Sequence, residues 1–326
     1  MVDMPVMRVL ITDDAHPVLA QRLAAAGFDV VTDTGYSYER LFAEADSYDA
    51  IVVRSKVSID RAFIDQCHRL KVIARVGAGM ETIDVDYAGQ RGITCLNSPE
   101  GNRDAVGEHT LGLLLSLFDH ISKADSEVRR GLWLREPNRG VEVKGKNIGI
   151  IGYGNMGRAF AQRLAGFECQ VFVYDVKGTR ASGFENPLPY VRNVSLEQLE
   201  QAADVVSLHV PLLDSTRYLV DEAFISAFAK PFYLINTSRG LVVRTSAVAE
   251  GLRNGKILGA ALDVVEYENM AKDGIGTFPD DFHFLQQNAR TVLTPHVAGW
   301  TAESKYWLAS VLADKIIDAL TKRLTL

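Results

Sequence analysis

A chain of 326 residues, 47% of them hydrophobic, with a formal net charge of −6, is long enough for two domains with buried cores. No uninterrupted apolar run reaches the roughly 18 residues of a membrane-crossing helix, and thinly spread basic residues on an acidic chain exclude a nucleic-acid surface. The three cysteines, Cys67, Cys95 and Cys169, lack metal-ligand spacing, and Met1–Met7 runs into a strand without a secretory apolar region, so a cytoplasmic protein without a structural metal is expected.

Apolar runs predict strands over 8–12, 29–31, 50–53, 71–74 and 94–96, with helical patterns such as 17–26 and 59–68 between them. That alternation is the signature of a parallel α/β sheet. One long helix is expected from about Arg103 to Arg130, including the apolar stretch Leu111–Phe118. The most informative segment follows. An apolar run, Ile148–Ile151, ends in Gly152-Tyr153-Gly154-Asn155-Met156-Gly157, then a helical pattern leads to a second run, Gln170–Tyr174, closed by Asp175. Strand, glycines, helix, strand and terminal acid in that order are the parts of a dinucleotide site. Gly152 permits a tight turn, Gly154 lets a pyrophosphate approach the backbone, and Gly157 lets helix and strand pack closely. The N–H groups and positive end of the new helix face the phosphates. Asp175 is placed to accept hydrogen bonds from both ribose hydroxyls and to repel a 2′-phosphate, which selects NAD over NADP.

Four more strands, 204–208, 232–235, 258–262 and 291–293, make six with the fingerprint pair, and a helix over 302–320 closes the chain. The expected fold is therefore α/β with two doubly wound parallel-sheet domains. A Rossmann cofactor domain over 100–296 is inserted into a substrate domain formed by 1–99 and 297–326, with the active site expected in the cleft between them.

Four polar residues fall at or just past predicted strand ends, where open α/β sheets hold ligands. They are Arg239 in Asn236-Thr237-Ser238-Arg239-Gly240, Asp263, Glu268, and His296 in Thr294-Pro295-His296-Val297-Ala298-Gly299. Together with Lys71–Gly79, Asn97-Ser98-Pro99-Glu100-Gly101-Asn102, His209-Val210-Pro211 and Leu262-Asp263-Val264, in that order, they make the chain resemble the D-isomer-specific 2-hydroxyacid dehydrogenases along nearly its whole length.

The resemblance implies an NAD-dependent oxidoreductase that transfers a hydride between nicotinamide and a 2-hydroxy or 2-oxo acid. It implies His296 as the proton carrier, since an imidazole titrates near neutral pH. Glu268 would bond the other ring nitrogen, and Arg239 would hold the substrate carboxylate or carbonyl. Cofactor contacts are implied at Gly152, Gly154, Asn155, Met156, Gly157, Asp175, His209, Pro211, Thr216, Thr237, Ser238, Asp263 and His296. Substrate contacts are implied at Arg54, Ser55, Arg75, Gly77, Ala78, Gly79, Asn102 and Arg239. Proline usually follows the glutamate in this family, whereas Asn269 does here, the segment Met270–Phe284 is longer and more polar, and Glu266 is the competing carboxylate.

Val53-Arg54-Ser55 resembles the segment that phosphoglycerate dehydrogenases set against a substrate phosphate, and Arg75 could add charge at the same mouth. The expected substrate pair is thus 3-phosphoglycerate and 3-phosphohydroxypyruvate. Glyoxylate, hydroxypyruvate and D-lactate types are the alternatives, with an NAD-sensing binding protein on the same fold more remote. Trp300 is placed to close over the substrate, and no serine-sensing domain is expected after the last helix. The resemblance further implies a homodimer, with Leu111–Phe118 and Leu132-Trp133-Leu134 as its contact segments. His109 reads as an ordinary helix residue.

Overall fold

The first five apolar runs become short strands of one parallel sheet: β1 (Arg8–Ile11), β2 (Asp29–Thr32), β3 (Ala50–Val53), β4 (Val72–Arg75) and β5 (Thr94–Asn97), in the order β2-β1-β3-β4-β5. Every residue of β3 is buried, as a strand covered on both faces must be. The connecting helices are α1 (Val18–Ala25), α2 (Tyr38–Glu44), α3 (Arg61–Gln66) and α4 (Val85–Gln90). Three of them start where a side chain satisfies an orphan N–H: Ser37 accepts from Arg40, Asp60 from Phe63 and Asp84 from Tyr87. The computed structural model describes residues 6–177, 188–268 and 278–322, and it divides into two units, Met1–Arg103 with Trp300–Leu326, and Asp104–Gly299.

The second unit is entered through α5 (Arg103–Phe118) and α6 (Ile121–Arg129). These replace the single long helix expected from the sequence, because His120 adopts a left-handed conformation with φ of 53° that breaks the run. The sheet comprises β6 (Asn147–Ile151), β7 (Gln170–Tyr174), β8 (Val191–Asn193), β9 (Val205–Leu208), β10 (Phe232–Asn236), β11 (Ile257–Leu262) and β12 (Thr291–Leu293). Its order, β12-β11-β10-β9-β6-β7-β8, turns back at β6, the topology of a doubly wound dinucleotide fold. Seven strands stand where six were expected. The extra one, β8, is a three-residue edge strand whose side chains are half-buried or exposed, so no apolar run marks it. The helices are α7 (Asn155–Arg163), α8 (Leu196–Ala202), α9 (Glu222–Ala227), α10 (Thr245–Asn254) and α11 (Asp280–Gln287).

The closing helix, α12 (Ala302–Lys322), belongs to the first unit. Its Leu308, Leu312 and Ile316 share a core with Val9, Val52 and Val72. In the second unit, Leu113, Leu114, Leu117 and Phe118 share a core with Phe160 and Val171. Of the two segments expected as subunit contacts, Leu111–Phe118 turns those four residues into the core and leaves Leu111 and Leu115 half-buried, whereas Trp133 is 80% exposed between half-exposed Leu132 and Leu134. Among the described residues, no helix is long and apolar enough to cross a membrane, and no three histidine, cysteine or acidic side chains gather into a metal site. Burial pushes the Cys67 thiol up to about 12 and raises that of Cys169, as packing residues require.

Candidate active site

Three adjacent strands of the second sheet end in line, with Asn236, Leu262 and Leu293 as lateral partners. The loops that follow therefore lie side by side at the carboxyl edge, and they carry Arg239, Glu268 and His296. His296 Nδ1 stands 2.8 Å from Glu268 Oε2. A carboxylate only accepts, so the ring nitrogen facing it carries the proton, which leaves the Nε2 lone pair open to take one. The His296 side chain is 50% exposed, against 27% for Glu268. Glu266, the competing carboxylate, is committed elsewhere: it accepts from the Tyr218 hydroxyl at 2.6 Å and from the Thr245 N–H at 3.0 Å. The polar insertion beginning at Asn269 lies outside the described residues up to position 277.

His296 sits in the left-handed region, at φ of 56°, which costs a non-glycine residue on the order of 1–2 kcal/mol. Asp263 holds it there. The Asp263 carboxylate, its residue 2% exposed, accepts from the Thr294 hydroxyl at 2.6 Å and from the N–H groups of Val297 and Ala298 at 2.9 Å each. The Asp263 carbonyl accepts the His296 N–H at 2.7 Å. Besides the cofactor-side place expected for it, Asp263 is built into the scaffold of the histidine loop. That role was hidden in the sequence, although an acid directly after a buried strand was its available signal.

Arg239 is positioned by comparable means. The Asn236 side chain accepts from the N–H and hydroxyl of Ser238 and donates to the Arg239 carbonyl at 3.0 Å, closing the turn on itself. Gly240 then meets the neighbouring loop so closely that a Cβ would lie 2.0 Å from the Val265 carbonyl oxygen. Only glycine allows that approach. It draws the Arg239 turn against the segment leading to Glu268. Neither Asn236 nor Gly240 was singled out from the sequence.

The dinucleotide fingerprint forms at the end of β6. Gly152 takes φ of 89°, and a Cβ on Gly157 would fall 2.1 Å from the Gly152 carbonyl oxygen, so turn and helix both depend on the missing side chains. Among the described residues, nothing lies within 4 Å of a Cβ built on Gly154, which leaves open space in front of the backbone where a phosphate would come. The first turn of α7, with Asn155 and Met156, carries no acidic residue and no side-chain cap, which suits an anion at its N-terminus. Asp175 accepts from the Tyr153 N–H at 2.8 Å and the Lys177 N–H at 2.9 Å, joining the glycine turn to the end of β7. On the other side of β6, the Thr216 hydroxyl donates to the Pro211 carbonyl at 2.6 Å and accepts the Leu213 N–H, while Thr237 pairs with Thr110. His209 is half-buried as a residue, but its Nδ1 is fully enclosed and lacks a partner among the described residues. Its Nε2 lies 2.8 Å from the Ser207 hydroxyl, and burial pushes the imidazole pKa down to about 3. These residues fit a dinucleotide.

The first-unit candidates cluster at the carboxyl edge of their own sheet. Asn97 Nδ2 donates to the Ala78 carbonyl at 2.6 Å, Ser98 N–H to the Gly77 carbonyl at 3.0 Å, and Arg75 Nη1 to the Gly79 carbonyl. Three successive carbonyls turned toward the protein leave the N–H groups of the same peptides pointing the other way, as a carboxylate-binding loop needs. Arg75 is part of this clamp. Its Nε donates to the Arg54 carbonyl at 2.8 Å, its Nη1 lies 3.8 Å from Glu81, and only 16% of its side chain is exposed. The charge expected to face an anion is directed inward. The Arg54 guanidinium lies over the Trp300 ring, 4.5 Å from its centroid, and buried Asp13 accepts from the N–H groups of Ser55 and Lys56 to fix this loop. Asn102 Oδ1 is buried without a partner among the described residues.

Comparison with known proteins places these features in a family. Residues 111–298 match the model of the D-isomer specific 2-hydroxyacid dehydrogenase NAD binding domain. The chain is 36% identical over 288 residues to a glyoxylate reductase of Thermofilum pendens, covering 87% of this chain and 82% of the relative. It is 32% identical over 314 residues to a D-3-phosphoglycerate dehydrogenase of Archaeoglobus fulgidus, where it covers 96% of its own length but spans only 57% of that protein. Among solved structures, D-lactate dehydrogenase from Aquifex aeolicus, complexed with NAD and lactic acid, superposes with a TM-score of 0.80 at 26% identity, covering 97% of this chain and 95% of that one.

Proposed function

The chain belongs to the D-isomer-specific 2-hydroxyacid dehydrogenases, NAD-dependent oxidoreductases, and from that membership we propose that it interconverts 3-phosphoglycerate and 3-phosphohydroxypyruvate. The observation that carries the chemistry is the 2.8 Å contact between His296 Nδ1 and Glu268. The Gly152–Gly157 turn and Asp175 would hold NAD, which would supply the hydride acceptor for the substrate carbon. On this reading, His296 Nε2 takes the proton of the substrate hydroxyl, and in the reducing direction the imidazolium returns it to the carbonyl oxygen. Glu268 stabilises that imidazolium and keeps the ring in the productive tautomer. Arg239 presents its guanidinium fork to the substrate carboxylate or carbonyl. The outward N–H groups of Ala78, Gly79 and Met80 are suited to a carboxylate oxygen.

The phosphate assignment rests on Arg54, since Arg75 is directed inward. A second reading, glyoxylate or hydroxypyruvate reduction, is favoured by the indole lying against Arg54 and by the likeness to a glyoxylate reductase. NADH oxidation by the purified protein with 3-phosphohydroxypyruvate, hydroxypyruvate, glyoxylate and pyruvate decides between them. We expect kcat/KM to favour the phosphorylated acid about a hundredfold, the scale of two charge-assisted hydrogen bonds. A preference for an unphosphorylated acid moves the assignment to the second reading and leaves the catalytic set in place. No turnover of any 2-oxo acid overturns both.

A further inference from the structure

Two consecutive residues of α5 reach the two loops that carry the proposed chemistry. Thr110 is fully buried; its hydroxyl donates to the Val106 carbonyl at 2.7 Å and lies 3.1 Å from the Thr237 hydroxyl in the Arg239 turn. His109 Nε2 lies 3.1 Å from the Thr294 hydroxyl in the His296 loop and 3.5 Å from Asp263 Oδ1. The helix itself is seated hard against α7, since a Cβ on Gly107 would lie 2.8 Å from the Ala159 backbone. One rigid element therefore touches both loops.

The protons can be placed by elementary accounting. The Thr294 hydroxyl has one hydrogen, and Asp263, an acceptor only, takes it at 2.6 Å. Thr294 Oγ1 must then accept from His109, so His109 Nε2 carries a hydrogen. The chain of donation runs from His109 Nε2–H to Thr294 O–H to Asp263, whose remaining acceptor sites hold the N–H groups of Val297 and Ala298. Those two groups directly follow His296, the residue kept at φ of 56°. Asp263 is shielded from water, so each donor it receives affects how firmly it grips the loop.

We infer that His109 is a positioning residue for His296, acting through Thr294 and Asp263, with α5 as the common support of the His296 and Arg239 loops. The inference rests on the reading of His296 as proton carrier. It calls for no contact between His109 and substrate or cofactor.

The test uses the full chain with His109→Ala, His109→Asn, His109→Gln, Thr294→Val and His296→Ala, measuring kcat, KM, NADH affinity by fluorescence, and melting temperature. Glutamine places an amide N–H at the reach of the imidazole Nε2, whereas asparagine falls short. We expect His109→Ala, His109→Asn and Thr294→Val each to lower kcat about tenfold, the scale of a small misplacement of a catalytic group, while KM and NADH affinity stay within about twofold. His109→Gln should restore most of kcat. Should His109→Ala fail to fold, Thr294→Val interrogates the same link from its other end. Unchanged kcat in the alanine and valine variants, a glutamine variant no better than alanine, or a loss that falls on NADH affinity instead of kcat would each overturn the inference. His296→Ala separates the two levels. If it retains turnover, the reading of His296 fails; if it loses turnover while the His109 and Thr294 variants do not, only the positioning role fails.

Discussion

Asp13 and Asp263 occupy equivalent places in two different sheets. Each is buried just past the carboxyl end of an inner strand, and each accepts backbone N–H groups from the loop after the neighbouring strand. Asp13 holds Ser55 and Lys56 at 3.1 and 3.4 Å, and Asp263 holds Val297 and Ala298 at 2.9 Å each. The second device has a further layer, Thr294 backed by His109, and it restrains a residue in a left-handed conformation. The first supports Arg54, whose long side chain leans on Trp300. The difference follows the work each loop is read to do. A proton carrier must sit within tenths of an ångström of its target. A guanidinium gathering an anion tolerates looser support, because its charge acts over distance and its stem adjusts.

The largest effect that could break this comparison is loss of the proton carrier. His296→Ala is expected to reduce kcat by about 10²–10⁴-fold with NADH binding retained, because it removes the acid–base group and none of the glycine turn. Glu268→Gln should cost less, about tenfold, since an amide can still accept from Nδ1–H but no longer stabilises imidazolium. Stopped-flow turnover with NADH-binding fluorescence measures both. A loss below tenfold for His296→Ala would mean that the better-supported loop is not where the proton moves.

The next effect separates Arg54 from Arg75, the two arginines expected at the substrate mouth. Arg54→Ala should raise KM for a phosphorylated acid about 10–100-fold while leaving unphosphorylated acids within a few-fold, and should hardly change stability, since a cation–π contact at a half-exposed site is worth about 0.5–1 kcal/mol. Arg75→Ala should behave in the opposite way. It unties the Gly79 and Arg54 carbonyls, so it should destabilise the first unit by about 1–3 kcal/mol and weaken all acids alike. Calorimetry alongside the substrate panel checks the pair. If Arg75→Ala proves selective for the phosphorylated acid, the inward orientation of that guanidinium does not persist in solution.

These contrasts mark where the sequence could be read and where it could not. The Gly152–Asp175 unit was legible because its parts are local: a strand, a turn and a helix within one stretch of chain, with Gly157 answering a contact a few residues away, Gly152 one at the end of the next strand, and Gly154 leaving open space. Arg239, Glu268 and His296 were legible as strand-end residues, with Glu268 set ahead of Glu266, but the hydrogen bonds that engage Glu266 with Tyr218 and Thr245 and bring Glu268 to His296 come only with the fold. Arg75 shows the opposite limit. Its position beside the glycine loop was plain, yet spacing carries no information on which way a flexible guanidinium turns, and the carbonyls of Gly79 and Arg54 claimed it. His109 and Thr294 are 185 positions apart, so nothing short of the folded chain joins them. The break at His120 was missed for a related reason: a left-handed residue inside a helical pattern of ordinary composition leaves no compositional trace.

The smallest effect concerns the other histidine at this edge of the second sheet. His296 has a carboxylate beside its ring and stands half in solvent; His209 has an enclosed Nδ1 and a neighbouring serine hydroxyl. Burial lowers the His209 pKa from 6.5 to about 3, so the folded chain resists a proton that the unfolded chain accepts near pH 6.5. Below pH 6.5 the unfolded state therefore binds more protons, and stability falls as the pH drops toward 3. This one group accounts for about 1 kcal/mol between pH 6.5 and 5.5, or about 2–4 °C in the unfolding transition of a unit of this size. Carboxylates also titrate in acid, so the informative quantity is the difference from a non-titrating variant. Melting curves of wild type and His209→Gln across that interval should diverge, with the wild type losing more. Parallel curves would show that His209 takes up its proton within the fold, and the contrast with His296 would then come down to the carboxylate alone.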